Sequence, residues 1–93
     1  MTRNEWTGVW EVLGCEWTFP ILRHLENDGL HFNELKRQLE DAPPSTVSLR
    51  LQQLEEEDLI IRTVERTSPK LVRYELTDRG NELRRILAEL ATV

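Results

Sequence analysis

Ser45, Thr46, Leu49, Gln52 and Gln53, with Ser48 and Arg50 beside them, are the residues of this chain whose types could act on a partner. Their chemistry is recognition. Hydroxyls and amides both donate and accept hydrogen bonds, and an arginine among them can reach a phosphate oxygen or a guanine edge. A leucine held outward can touch a thymine methyl. A face kept only for solubility usually carries Glu and Lys, as residues 55–58 nearly do. Spacing predicts which way these residues point. Between Pro43 and Asp58, read as a helix, Val47, Leu51 and Leu54 fall at i, i+4 and i+7. That narrow apolar stripe packs inward and turns the polar side out. Pattern alone fits a recognition helix for the DNA major groove and an ordinary exposed helix face about equally.

Lys36, Arg66, Lys70 and Arg73, with Arg37, are candidates for phosphate or minor-groove contact. Solubility explains Arg37 and Arg73 as well, whereas Lys70 stands at a hairpin tip. Cys15 reads either as a thiol sensor or as a small half-buried residue; the adjacent Glu16 disfavours the thiolate. His24 and His31 fall on different elements, with no carboxylate or thiol at ligand spacing, so no metal is expected. Trp6, Trp10 and Trp17 suit a core, the apolar seam of a dimer, or the lining of an effector pocket. The sequence holds no nucleophile–base–orienter set, glycine-rich phosphate loop or metal cluster, so neither an enzyme nor a cofactor is expected.

The elements that must position these residues follow from periodicity and punctuation. Trp6, Val9, Trp10 and Leu13 predict a first helix over 5–13, closed by Gly14. Trp17, Ile21, Leu22 and Leu25 mark a second, ended by Asn27-Asp28-Gly29, with Pro20 tolerable in its first turn. Leu30-His31-Phe32 is long enough for one edge strand. A third helix is expected over 34–40, N-capped by Asn33, with Leu35 and Leu39 buried. The turn Asp41-Ala42-Pro43-Pro44 cannot continue it, and Pro44 fits the first position of the next helix. The period then changes to 2. Ile60 to Arg66 is rich in β-branched residues, Val72, Tyr74 and Leu76 alternate with Arg73 and Glu75, and Thr67-Ser68-Pro69-Lys70 makes the turn. Thr77 caps a last helix with Leu83, Ile86, Leu87 and Leu90 on one face. The expected fold is mainly α with a small β-hairpin, a winged helix-turn-helix in a single domain over 1–93. Its helix-turn-helix spans 33–58, its wing 60–76 and its terminal helix 78–91.

Ninety-three residues can close one hydrophobic core without metals or disulfides, and one cysteine excludes an intrachain disulfide. No apolar run approaches membrane-spanning length and the N-terminus lacks a signal-peptide core, so a cytoplasmic location and no membrane partner are expected. The net charge of −5 is awkward for a DNA binder, because phosphate neutralisation supplies most non-specific affinity. Its distribution answers the objection in part. Residues 1–58 hold five Lys/Arg against twelve Asp/Glu, whereas residues 59–74 hold Arg62, Arg66, Lys70 and Arg73 against Glu65 alone. Glu55-Glu56-Glu57-Asp58 places four negative charges at the negative end of a helix, for which periodicity offers no reason.

The ordered set Trp17-Thr18, Ile21-Leu22-Arg23-His24-Leu25, Phe32-Asn33-Glu34-Leu35-Lys36-Arg37, Val47-Ser48-Leu49-Arg50-Leu51, Leu54-Glu55, Leu59-Ile60-Ile61-Arg62, Pro69, Val72, Tyr74, Leu76-Thr77 and Gly80 resembles the HxlR-type winged helix-turn-helix transcriptional regulators. The resemblance covers nearly the whole chain. It implies a homodimer built mainly from helices 5–13 and 78–91 that binds an inverted-repeat operator in double-stranded DNA. Many members act on genes of aldehyde, quinone or redox stress. Three positions depart from the family pattern. Redox-sensing members carry a cysteine near the position of Asn4, and Cys15 does not replace it. Pro43 stands where a serine or threonine usually caps the recognition helix, and Asp58 where a turn glycine is usual. A winged-helix module that binds protein rather than DNA is the alternative consistent with the acidic net charge.

Overall fold

The computed structural model describes residues 14–92, so the helix expected over 5–13, with Trp6 and Trp10, lies outside the described residues. Helix α1 (Thr18–His24) buries Ile21 and Leu22, and Arg23 and His24 lie in its last turn, where cations favour the negative end. Pro20 occupies the first turn as expected. A turn with Asn27 and Gly29 at positive φ leads into strand β1 (Leu30–His31). A Cβ on Gly29 would sit 2.4 Å from the Tyr74 carbonyl oxygen, so only glycine lets the chain come this close to the sheet.

Helix α2 (Phe32–Gln38) begins two residues before the predicted start and stops two before the predicted end. Its cap is His31, not Asn33: the Glu34 carboxylate accepts the His31 backbone N–H at 2.9 Å. That reciprocal contact draws Phe32 into the helix and leaves Asn33 exposed inside the first turn. Leu35 and Leu39 are buried as the periodicity required.

Helix α3 (Pro44–Glu56) follows the turn with Pro44 at its first position and Pro43 as a cap that offers no side-chain hydrogen bond. Val47, Leu51 and Leu54 are buried. Its C-terminus is a complete Schellman closure. Leu59 N–H donates to the Leu54 carbonyl at 2.9 Å and Asp58 N–H to the Glu55 carbonyl at 3.0 Å. Asp58 takes the left-handed position at φ 60°, and Leu54 and Leu59 are both buried beside it.

Strands β2 (Ile60–Thr67) and β3 (Lys70–Leu76) form the predicted hairpin, and β1 adds to the free edge of β3, giving an antiparallel sheet ordered β1-β3-β2. Glu65 is the extra residue of a bulge between Val64 and Arg66. Helix α4 (Asp78–Leu90) is capped by Thr77, whose hydroxyl accepts from Gly80 N–H at 2.9 Å. The four apolar residues predicted for one face of α4 divide. Leu83 and Leu87 pack against the core, while Ile86 is 49% and Leu90 62% exposed.

The start of α4 is joined to the end of α3. Thr77 donates its hydroxyl to the Asp58 carbonyl at 2.7 Å and its N–H to the Leu59 carbonyl at 3.1 Å. Arg79 donates to the Glu57 carbonyl at 2.7 Å. Contact is so close that a Cβ on Gly80 would fall 1.9 Å from the Leu59 carbonyl oxygen. Gly80→Ala should therefore lower unfolding free energy by about 1–3 kcal/mol in urea titration, the range for forced overpacking. Asp58→Gly should raise it by about 0.5–1.5 kcal/mol, because it relieves the left-handed strain and removes a carboxylate from the helix end. A Gly80→Ala chain as stable as its parent would mean that the α3–α4 joint opens at little cost.

Candidate nucleic-acid interface

The inward stripe of α3 leaves Ser45, Ser48, Leu49 and Gln52 exposed on the opposite side, at i, i+3, i+4 and i+7. Leu49 is 48% exposed, an apolar side chain for which nothing in the domain offers cover among the described residues. Thr46, Arg50 and Gln53 are half-buried on the flanks. Arg50 donates through Nε to the Glu16 carbonyl at 3.0 Å and through a terminal nitrogen to the Gln53 side-chain oxygen at 2.9 Å. These two candidates therefore hold α3 against the segment before α1, and the outward stripe is left to the serines, Leu49 and Gln52.

The wing cations also divide. Arg73 donates to Glu65 Oε2 at 3.1 Å and to the Asp28 carbonyl at 2.9 Å, so it braces the hairpin against the turn before β1. Arg66 reaches the Pro69 carbonyl at 3.4 Å, a long contact within the wing tip. Lys70 is exposed and makes no hydrogen bond or ion pair among the described residues. It lines a recess of about 440 Å³ together with Ser48 of α3, Asn33 and Glu34 of α2, and Arg62, Val72 and Tyr74 of the sheet. The exposed side of α3 and the tip of the wing thus meet around one concavity. Lys36 lies elsewhere, 5.6 Å from the Phe32 ring centroid, and with Arg37 it lines a second concavity beside Pro44 at the head of α3.

Arg62 and Asn33 were absent from the sequence-based candidates. The signal for Arg62 was its period-2 relation to Ile60, and the observed register sets it across from Tyr74. Asn33 became a recess residue only because α2 starts early.

His31, read from the sequence only for metal ligation, meets two carboxylates in the fold, one of them far away in the chain. Its Nδ1 lies 3.1 Å from Glu34 Oε1 and its Nε2 2.6 Å from Glu65 Oε1. Glu34 is held below the usual carboxylate range, first by the His31 backbone N–H. Glu65 is lowered first by its bond to the His31 ring, and further by Arg73. Among the described residues no group of three or more His, Cys, Asp or Glu residues is placed to hold a metal ion. Cys15 is half-buried immediately before α1. Among the described residues no helix is long and apolar enough to cross a membrane.

Residues 12–93 match the family model described as HxlR-like helix-turn-helix. The chain is 36% identical over 76 residues to MalR of Fusobacterium mortiferum, named as a regulatory protein, an alignment covering 81% of this chain and 72% of that protein. It is 32% identical over 81 residues to the HTH-type transcriptional regulator YvaP of Bacillus subtilis, covering 87% of this chain and 75% of that one. The reduced form of the transcriptional regulator YodB from B. subtilis superposes with a TM-score of 0.81 over 99% of this chain and 90% of that chain, at 24% identity, a likeness of fold. By the family match and the winged-helix architecture that carries it, the chain belongs to the HxlR-like helix-turn-helix family and is a transcriptional regulator of that type.

Proposed function

We propose that the protein binds an inverted-repeat operator in double-stranded DNA as a homodimer, with α3 in the major groove and the wing on the adjacent backbone or minor groove. The observation that carries this reading is the common recess of Ser48 and Lys70, which puts the bare side of α3 and an unpaired wing cation within reach of one duplex. Ser45, Ser48 and Leu49, flanked by Thr46, read base edges, with Leu49 against a thymine methyl. Lys70 and Arg62 from the wing, and Lys36 and Arg37 beside the head of α3, hold phosphates. Arg66 lies within reach of the backbone at the wing tip, whereas Arg73, Arg50 and Gln53 keep the reading surfaces in place.

Dimerisation through α4 is supported by the uncovered Ile86 and Leu90; the segment 5–13, the other expected contributor, lies outside the described residues. A two-fold dimer requires half-sites separated by about one helical turn of DNA or a multiple of it. Localised cations offset the −5 net charge, as residues 59–74 hold Arg62, Arg66, Lys70 and Arg73 against Glu65 alone.

Selection of bound duplexes from random DNA should recover a palindrome, and affinity for it should fall linearly in log K against log salt. A flat salt response on every duplex would favour the protein-binding module instead. Lys70→Ala should weaken operator and random DNA alike and reduce the salt slope by about 1. Arg50→Ala should cost about 1 kcal/mol of folding stability through its lost hydrogen bonds while leaving the selected base preference unchanged. A preference relaxed at a single base pair would make Arg50 a base reader.

A further inference from the structure

One imidazole joins the two parts of the DNA-facing recess. His31 ends β1 and caps α2, and its two ring nitrogens meet carboxylates from different elements: Nδ1 is 3.1 Å from Glu34 on α2 and Nε2 is 2.6 Å from Glu65 in the bulge of β2. A neutral imidazole has a single N–H, so it can donate to one of these acceptors only. The other nitrogen then turns a lone pair toward a carboxylate oxygen. Both contacts are hydrogen bonds only when the ring carries both protons. We propose that His31 is a proton-operated latch that seats the wing: the imidazolium ties the β2 bulge to the start of α2, and loss of the Nε2 proton to solvent releases Glu65 and loosens the wing.

The surroundings give this latch a direction. Glu34 from α2 and Glu65 from β2 meet the ring, Arg73 from β3 is bound to Glu65, and Arg62, Lys70 and Tyr74 line the same recess. Arg73 is bound to Glu65 and also to the Asp28 carbonyl, so the hairpin stays anchored at that turn when the histidine contact is lost. What is lost is the tie between the β2 bulge and the first turn of α2. Those elements carry Arg62 and Asn33 on the two sides of the recess. Deprotonation also changes the formal charge of the set His31, Glu34, Glu65 and Arg73 from zero to −1 beside the proposed phosphate contacts, which opposes DNA. Glu65 is lowered first by the His31 ring, whereas Glu34 is lowered first by the His31 backbone N–H and less by the ring. Those carboxylate bonds are present above the ordinary carboxylate range and are lost as pH falls through the lowered values.

The consequence for affinity rests on the DNA-binding reading, while the latch is observable in the free protein. On the full chain, with His24→Gln to simplify assignment, ring ¹⁵N–¹H correlation across about pH 5 to 8 reports both His31 nitrogens, since imidazole is the ordinary side chain that changes charge there. Amide protection of β2 and β3, corrected for intrinsic exchange, and duplex affinity are measured over the same range. We expect both nitrogens protonated at the acid side, with wing protection falling as one proton leaves. Affinity should fall in parallel, by at most about tenfold per pH unit for one linked proton. His31→Gln and Glu65→Gln should each abolish the pH dependence of wing protection. A neutral ring throughout, or an unaltered pH profile in His31→Gln, overturns the latch. Ring protonation and wing protection that titrate together, without duplex binding at any pH, would uphold the latch and sink the DNA reading.

Discussion

The carbonyls of Glu57, Asp58 and Leu59, at the exit of α3, are the constraint on which the remaining geometry depends. A helix ends with carbonyl groups that have lost their intrahelical donors, and leaving them unpaired in a packed region is costly. Here Arg79, the Thr77 hydroxyl and the Thr77 N–H supply donors, all from the first turn of α4 or its cap. Gly80 removes the side chain that would otherwise hold the two elements apart. The pitch of α3 is thereby set relative to α4. The distance from the bare stripe of α3 to the uncovered Ile86 and Leu90 becomes a property of one rigid joint. In a two-fold assembly through α4, that joint would set the separation of the two reading surfaces. Arg79 also brings one positive charge to this acidic end, through its hydrogen bond to the Glu57 carbonyl.

The second constraint is the seating of the wing. A two-stranded ribbon alone is marginal in water and free to swing. This one is widened by β1 and held from outside by the Asp28 carbonyl and the ring of His31. Ion pairs this exposed contribute little stability singly. Their importance is positional, because each joins segments that are far apart along the chain. Arg73 and Glu65 satisfy each other, which leaves Lys70 and Arg62 as the wing cations facing the recess. An acidic chain can thus present a locally basic concavity without a basic net charge.

Much of the fold was legible in the sequence because its causes are local. Val47, Leu51 and Leu54 announce the buried side of α3, Pro44 its first position, Thr77 the cap of α4, and the alternation from Val72 to Leu76 the returning strand of the wing. Where the reading failed, a contact between elements intervened. Asn33 is the better intrinsic cap, yet Glu34 reaches back to His31 and the helix begins earlier. Arg50 has the chemistry to read a guanine, and Glu16 and Gln53 engage two of its five donors. Glu65 looked like a stray acid in a basic hairpin, and only the bulge turns it toward both Arg73 and His31.

Side-chain periods of 3.6 and 2 and turn residues depend on neighbours within a few positions, so the types of the described elements, the core sides of α1, α2 and α3 and the winged order were determined by the sequence by itself. The choice of partner for each polar side chain was not. His31 with Glu65 and Arg50 with Glu16 each span 34 positions, and Arg73 with Asp28 spans 45. Such pairs exist only after the core has brought their elements together, because a hydrogen bond acts over about 3 Å and has no range with which to select a distant partner beforehand. Tertiary packing therefore decided which candidates stay bare and which are consumed in contacts between elements.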